Sequence, residues 1–176
     1  KEVAHESVYF RLPIKGLKKE HLLVWTTTPW TLPANIAVAV DKNLSYALVK
    51  DEQGFFDWVA EDLVEKIFGK DTKIIKTVKG EKLIGLKYGF VFDDLAKVKE
   101  VAEKNPQKFH RVVPTDDRIM PITTKEGTGL VHTAVSAGQE DFKLGKKLDL
   151  PLIEVINQEA NYLEGLGEFS GRNAKK

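Results

Sequence analysis

Residues Trp25–Asn35, with the sequence WTTTPWTLPAN, concentrate hydroxyl groups and aromatic rings beside two prolines. The apolar run before Trp25 predicts a strand, and Pro29 restricts Thr28 to an extended conformation from which it can cap one helical turn, ended by Pro33. Hydroxyls and main-chain amides would then form a rigid, uncharged ledge for a small polar ligand. A purely structural interpretation stays open, since β-branched threonines favour strands and caps.

A second segment, Gly127–Phe142 (GTGLVHTAVSAGQEDF), places a histidine and an acidic residue where they could contact a ligand. His132 lies in a predicted buried strand, where a lone histidine is typical of a hydrogen-bonded core residue. Asp141 lies early in the following predicted helix and has no basic residue at i+3 or i+4. Its carboxylate either favours the helix dipole or faces a cationic group of a ligand.

Composition excludes several familiar catalytic sites. The 176 residues include no cysteine, so disulfides, thiolate nucleophiles and Cys-ligated zinc are excluded. The four histidines (His5, His21, His110 and His132) lack metal-ligand spacing, and there is no phosphate-binding glycine loop or nucleophile elbow. No apolar run approaches the length of a membrane span, about 18 residues. With 27 basic and 26 acidic residues the net charge is +1, so any nucleic-acid contact would have to be local.

The rest of the pattern is dominated by short strands, with about three amphipathic helices between them. Strands are predicted at Ser7–Leu12, His21–Thr26, Ile36–Val40, Ser45–Lys50, Phe55–Ala60, Thr72–Gly80, Phe109–Pro114, Asp117–Thr124, Leu130–Ala134 and Pro151–Ile156. Helices are predicted at Glu61–Lys70, Asp93–Lys108 and Ser136–Leu148, the last with a capping box from Ser136 to Gln139. Asp41–Asn43 predicts a hairpin turn. We therefore expect one β-rich, mixed α/β domain over residues 1–176, a mixed or antiparallel β-barrel with peripheral helices.

Together the two segments resemble the paired signatures of the editing domain of isoleucyl-tRNA synthetase. This domain is the insertion called connective polypeptide 1 in that class I synthetase. The motifs are WTTTPWTLPAN followed by AV, and GTG with VHTA and a later DF. The opening KEVAHESVYFRLPIKGL and the closing FSGRNAKK also resemble the edges of the insertion, so the resemblance covers nearly the whole chain and indicates a piece of a longer protein. Valyl and leucyl relatives carry an arginine where this chain has Thr28.

The resemblance implies a hydrolase that deacylates mischarged tRNA, chiefly valyl-tRNA(Ile). One methylene contributes only about 1–3 kcal/mol to discrimination in an apolar pocket, so a second, smaller pocket is needed to remove valine. The implied partners are the valine-carrying acceptor end of tRNA(Ile) and the remainder of the synthetase. No cofactor or metal is implied, and a cytoplasmic monomer is expected.

The resemblance also assigns roles to individual residues. His132 would lie beside the amino-acid side chain and exclude isoleucine, while Asp141 would hold the α-ammonium group. The residues assigned to catalysis are Thr26, Thr27 and Asp141, and those assigned to substrate binding are Thr28, Asn35, His132 and Trp25. No protein nucleophile is implied, and the sequence offers none.

Three positions depart from the family pattern HTAP-x-HG-x-DD. Val135 replaces the proline, Ala137 replaces the second histidine and Glu140 replaces the first aspartate. Two alternatives therefore stay open. One is a non-catalytic tRNA-binding module with the same fold, and the other is a valyl-type editing domain that clears threonyl-tRNA.

Overall fold

The computed structural model describes residues 6–175, so His5 and the first residues of the opening motif lie outside the described part. The strands are β1 Val8–Pro13, β2 Glu20–Thr26, β3 Ala37–Val40, β4 Ser45–Lys50, β5 Phe56–Ala60, β6 Ile74–Lys79, β7 Arg111–Pro114 and β8 Val131–Thr133. The α-helices are α1 Val64–Phe68, α2 Ala96–Lys104 and α3 Gln139–Leu148. Short 3₁₀ helices are Pro29–Ala34, Glu61–Leu63, Gly80–Lys82 and Gly167–Phe169.

These strands form one mixed sheet in the order β6-β4-β5-β2-β8-β3-β7, and β1 pairs with β2 outside this path. The antiparallel β1 occupies one edge of β2 along most of its length. The parallel strands β5 and β8 therefore share the other edge, with β5 pairing at Glu20–Leu22 and β8 at Trp25. The sheet therefore divides at β2, where β5 and β8 pair with different parts of the same edge, and it curls. This curled sheet confirms the predicted β-rich, barrel-like fold with peripheral helices.

The core lies on both faces of the curled sheet. All four residues of β3 are buried, because β7 and β8 cover its edges and apolar clusters cover its faces. Val38 and Val40 join the largest cluster, while Ala37 packs with a second cluster and Ala39 with a third that contains Leu144 of α3. The helices are thus attached to the sheet by ordinary apolar packing.

The predicted hairpin between β3 and β4 is wrong. The chain does turn at residues 41–44, where the Leu44 amide donates to Asp41 O at 3.3 Å. However, β7 and β8 occupy both edges of β3, and β5 and β6 occupy both edges of β4. Neither strand has an edge left for the other.

The strands predicted at Asp117–Thr124 and Pro151–Ile156 are also wrong. The amides of Ile119 and Met120 both donate to Asp116 O, at 2.9 and 2.8 Å, so this segment coils into a turn before Pro121 removes a further donor. Ile153 and Val155 are buried in the second cluster without a strand partner. Their alternation reflects packing of a loop rather than pairing in a sheet.

All three helix predictions need shorter bounds. The prediction Glu61–Lys70 contains a 3₁₀ helix followed by α1, and the prediction Ser136–Leu148 contains α3. The helix predicted at Asp93–Lys108 is α2, which buries Val98 and ends at Lys104, with Asn105 as its C-cap residue before Pro106. The predicted capping box is wrong, because Gly138 is the N-cap residue of α3 and Ser136 Oγ donates to Ile153 O at 2.5 Å. None of the helices within residues 6–175 is long and apolar enough to cross a membrane.

A close contact between the start of β8 and the end of β5 requires glycine at position 129. Gly129 has a φ of 78°, and a Cβ there would lie 2.5 Å from Ala60 Cβ. Gly54 has a similar φ of 87° but open space around its Cα. Comparing a substitution at Gly129 with one at Gly54 therefore distinguishes the cost of backbone strain from the cost of steric overlap.

We expect Gly129→Ala to lower the free energy of unfolding more than Gly54→Ala does. Both variants place alanine at positive φ, which costs about 1–2 kcal/mol. Only Gly129→Ala adds overlap with Ala60, which costs about 1–3 kcal/mol more. Urea unfolding measures both losses, and equal losses would show that the contact with Ala60 is not tight.

Candidate functional site

A cavity of about 390 Å³ lies where β2 ends and β8 begins. Pairing of Trp25 with Val131 brings together two parts of the chain that are distant in sequence. The lining residues from the first motif are Trp25, Thr26, Thr27, Thr28 and Thr31, and those from the second are Gly127–His132, Ala134, Ala137, Gly138 and Asp141. Six of the seven residues assigned from sequence therefore share one cavity, and Asn35 is the exception.

The threonine hydroxyls form a connected group on one wall. Thr26 is buried, and its Oγ1 accepts the Thr28 amide at 3.1 Å. Thr28 Oγ1 lies 3.3 Å from both Thr26 Oγ1 and Thr31 Oγ1. The predicted side-chain cap by Thr28 is wrong, since its carbonyl, not its hydroxyl, accepts the Thr31 amide at 3.0 Å. Thr27 is exposed, and its hydroxyl bonds to none of residues 6–175, which leaves it available to a ligand.

Trp25 forms an apolar part of the same wall. A Cβ at Gly127, which has a φ of 73°, would lie 2.9 Å from Cε3 of the Trp25 ring. The ring therefore packs directly on the glycine backbone. This packing places the GTG sequence and the tryptophan motif in the same site.

His132 connects the two motifs through both nitrogens of its ring. Nε2 lies 2.9 Å from Thr31 Oγ1, and Nδ1 lies 2.8 Å from Asn35 Nδ2. Asn35 Nδ2 also donates to Ala37 O at 3.2 Å, and this carbonyl fixes the orientation of the amide because it can only accept. Asn35 therefore donates to Nδ1, and the ring proton of neutral His132 is on Nε2, facing Thr31.

This tautomer determines what His132 can do. Burial lowers the pKa of His132 to about 4, so the ring is neutral at pH 7. Its Nε2–H donates to Thr31 Oγ1, whose own proton goes to Thr28 O at 2.8 Å. In a Ser-His-Asp triad the third residue instead accepts from Nδ1–H, which leaves Nε2 free to take a proton. His132 is thus a fixed wall residue and not a general base for Thr31.

Asn35 lies behind the cavity and not on its surface. It is 1% exposed, its Oδ1 accepts the Tyr88 hydroxyl, and its carbonyl lies 3.0 Å from His110 Nε2. The structure therefore places Asn35 in contact with His132 and apart from any ligand in the cavity. Its contacts suit it to orienting the His132 ring.

Asp141 faces the cavity as an unpaired acid. Its Oδ2 accepts the Ala134 amide at 2.9 Å, and this bond joins α3 to the end of β8. Burial raises the pKa of the Asp141 carboxyl. Among residues 6–175 no lysine, arginine or histidine nitrogen lies within 4.0 Å of that carboxylate. A cationic group of a ligand would supply the missing partner.

Sequence reasoning missed two residues of the His132 environment. Thr31 follows Thr28 by three positions, and residues at that spacing share a face of a 3₁₀ helix, so the helical turn offered a signal. Tyr88, which is fully buried and donates to Asn35, lies far from both motifs in sequence. Nothing in the sequence links Tyr88 to the site.

The cavity has both polar and apolar lining and carries no positively charged side chain. Its ionisable lining groups are Asp141, Glu126 and the neutral His132, and the other polar groups are hydroxyls and main-chain atoms. In the described part of the chain no three potential metal ligands cluster. Such a site favours a cationic ligand group and repels a phosphate.

Comparison with solved structures defines the class of the domain. The fold is similar to the editing domain of P. knowlesi cytosolic leucyl-tRNA synthetase, with a TM-score of 0.61, 14% identity, and coverage of 82% of this chain and 63% of that one. The corresponding P. falciparum domain gives a TM-score of 0.54, with 18% identity and coverage of 74% and 47%. The architecture is therefore that of a synthetase editing domain.

Sequence comparison defines the family. The chain is 42% identical over 170 residues to the isoleucine–tRNA ligase of Methanothermobacter thermautotrophicus, which covers 96% of this chain. It is 36% identical over 176 residues to that of Clostridium novyi. The chain spans only 15–16% of the length of these relatives. No family model matches it. The chain belongs to the isoleucine–tRNA ligase family and has the fold of a synthetase editing domain.

We expect His132 to make the domain less stable as the pH falls from 6.5 to 4. The unfolded chain takes up a proton at this residue below about pH 6.5, whereas the folded chain resists protonation down to a pKa of about 4. Stability is therefore present above this window and lost within it, by up to about 3 kcal/mol.

Urea unfolding of the unmodified chain and of His132→Asn across this pH range measures the effect. The variant should lose less stability on acidification, and parallel curves would contradict the burial of a neutral ring. NMR titration of the unmodified chain gives a second test, because the His132 ring signals should not shift above pH 5.5.

Proposed function

We propose that the chain hydrolyses the ester bond of valyl-tRNA(Ile) and so proofreads the product of its synthetase. One observation carries this proposal. The unpaired carboxylate of Asp141 and the threonine hydroxyls line a single cavity. This cavity contains acidic side chains and no lysine or arginine. An aminoacyl ester presents the complementary groups, a cationic α-ammonium beside a polarised carbonyl.

The site would hold two groups of the substrate, the α-ammonium and the ester carbonyl. Asp141 would bind the α-ammonium, and the bond from the Ala134 amide keeps this carboxylate in place. The exposed hydroxyl of Thr27 and the hydroxyl of Thr28 would donate to the ester carbonyl as negative charge develops on its oxygen. The proposed catalysis therefore rests on positioning and polar stabilisation.

Water is the proposed nucleophile. The His132 tautomer speaks against proton transfer from Thr31, and the cavity holds no cysteine or lysine. Water adds to the ester carbonyl, the bond to the ribose oxygen breaks, and the vicinal ribose hydroxyl assists the transfer of the water proton to that oxygen. The products are free valine and a tRNA with both terminal hydroxyls restored.

Selection between valine and isoleucine would depend on one part of the cavity wall. The whole cavity, about 390 Å³, is far larger than an isopropyl group, so total volume does not exclude isoleucine. The smaller pocket that the resemblance implies would therefore be only a part of this cavity. The rigid Thr31–His132 pair, joined at 2.9 Å, is the part of the wall whose position would limit side-chain length.

Ester loss from purified aminoacyl-tRNAs tests the proposal. The full 176-residue chain should release valine from valyl-tRNA(Ile) at least about 10-fold faster than isoleucine from isoleucyl-tRNA(Ile), since one methylene gives roughly 10- to 200-fold discrimination. Preferential loss of threonine from threonyl-tRNA would indicate a valyl-type editing domain. Binding of valyl-tRNA without ester loss would indicate a non-catalytic module.

We expect Asp141→Asn to lower kcat/KM for valyl-ester hydrolysis by about 10- to 150-fold, because hydrogen bonds to a charged group contribute about 1.5–3 kcal/mol. The asparagine side chain can still accept the Ala134 amide, so the fold should be retained. The matched control is Glu140→Gln, which removes the neighbouring exposed charge. Equal activity of the two variants would refute the role of Asp141.

A further inference from the structure

The cavity accounts for the aminoacyl ester but leaves the rest of an RNA strand without a binding surface. Asp141 and Glu126 give the cavity a negative field, so phosphates next to the ester must lie outside it. A second hollow of about 490 Å³ adjoins the cavity, and Gly138 lines both. This hollow is therefore adjacent to the candidate site.

An aromatic and basic stripe along α3 borders the second hollow, which its residues Gln139, Phe142 and Lys143 line. Gln139, Phe142, Lys143 and Lys146 follow i, i+3, i+4 and i+7 spacing and are all exposed. Asp141, Leu144, Gly145 and Leu148 have the same spacing on the other face, which packs against the domain and points Asp141 into the cavity. One helix thus presents an acid to the cavity and cations to the adjoining surface.

Two features of this stripe are exposed to solvent. Phe142 is 44% exposed, and Lys146 Nζ lies 5.5 Å from the centroid of its ring. Within residues 6–175 neither Lys143 nor Lys146 has a carboxylate within 4.0 Å, whereas the next lysine, Lys147, is paired with Asp116. An exposed ring beside two lysines without carboxylate partners is an arrangement that can bind single-stranded nucleic acid by stacking and phosphate contacts.

We propose that the stripe Gln139–Phe142–Lys143–Lys146 binds the single-stranded RNA immediately preceding the terminal adenosine. Phe142 stacks on one base, and Lys143 and Lys146 contact neighbouring phosphates. The proposal rests on the proposed function, since RNA is the polymer that would bring the ester to the cavity. It assigns α3 two roles. The inner face presents Asp141 to the α-ammonium group, and the outer face binds RNA.

Binding of an uncharged, fluorescently labelled single-stranded RNA of five nucleotides ending in adenosine tests the stripe without any hydrolysis. With the full 176-residue chain, Phe142→Ala should raise the Kd by about 5- to 150-fold, the range for loss of one stacked base. The matched control is Phe55→Ala, which removes another exposed ring, just before β5. Equal effects of the two variants, or no binding by the unmodified chain at low salt, would overturn the proposal.

An abasic nucleotide placed in turn at each position before the adenosine identifies the stacked base. At one position it should weaken binding to the unmodified chain and cause no further loss in Phe142→Ala. Independent losses at every position would overturn the stacking contact.

The lysines are tested by the salt dependence of the same binding. The slope of log K against log salt should fall by about 1.4 in the double variant Lys143→Ala and Lys146→Ala, for two lost phosphate contacts. The control is Lys70→Ala with Lys73→Ala, two exposed lysines that precede β6 at the far edge of the sheet. An unchanged slope in the stripe variant would remove the lysines from the site.

Hydrolysis of valyl-adenosine, which lacks the preceding phosphates, separates this proposal from the proposed function. Phe142→Ala should cleave it as fast as the unmodified chain does. If neither cleaves it, the proposed hydrolysis fails, while the binding measurements still decide the role of the stripe.

Discussion

The site depends on one buried, neutral imidazole. His132 belongs to β8, and its two nitrogens bond to Thr31 and Asn35 of the proline-bounded segment that follows β2. These bonds hold the two motifs in a fixed relation. If the ring were protonated, Nδ1 could no longer accept from Asn35, and the contact would become a repulsion between two donors. The low pKa produced by burial therefore keeps the motifs together.

Charge is separated between the two faces of α3. The inner face presents Asp141 to a cavity without cations, and the outer face carries Lys143 and Lys146. The net charge of the whole chain, +1, hides this separation because 27 basic and 26 acidic residues cancel. A balanced composition is thus compatible with a strongly polarised site. The local field, and not the total, decides which part of a charged ligand enters the cavity.

Errors in the predicted fold have a common physical cause. Apolar alternation at Pro151–Ile156 is real, but Ile153 and Val155 satisfy it by packing in a cluster and not by pairing. The turn at Asp41–Asn43 is also real, but the strands beside it pair elsewhere. Sequence periodicity reports which side of the backbone is apolar. It does not report which strand or apolar cluster covers that side, because strand pairing depends on the arrangement of all the strands in the folded sheet.

The sequence alone determined the family, the β-rich fold class and six of the residues that line the cavity, because these follow from local patterns and from two contiguous motifs. Tertiary structure alone decided that Asn35 lies behind His132, that Tyr88 supports Asn35, and that Phe142 and its lysines adjoin the cavity. It also decided the tautomer of His132, which depends on the Ala37 carbonyl. Each of these is a relation between residues distant in sequence or on opposite faces of a helix, and such relations exist only once the chain has folded.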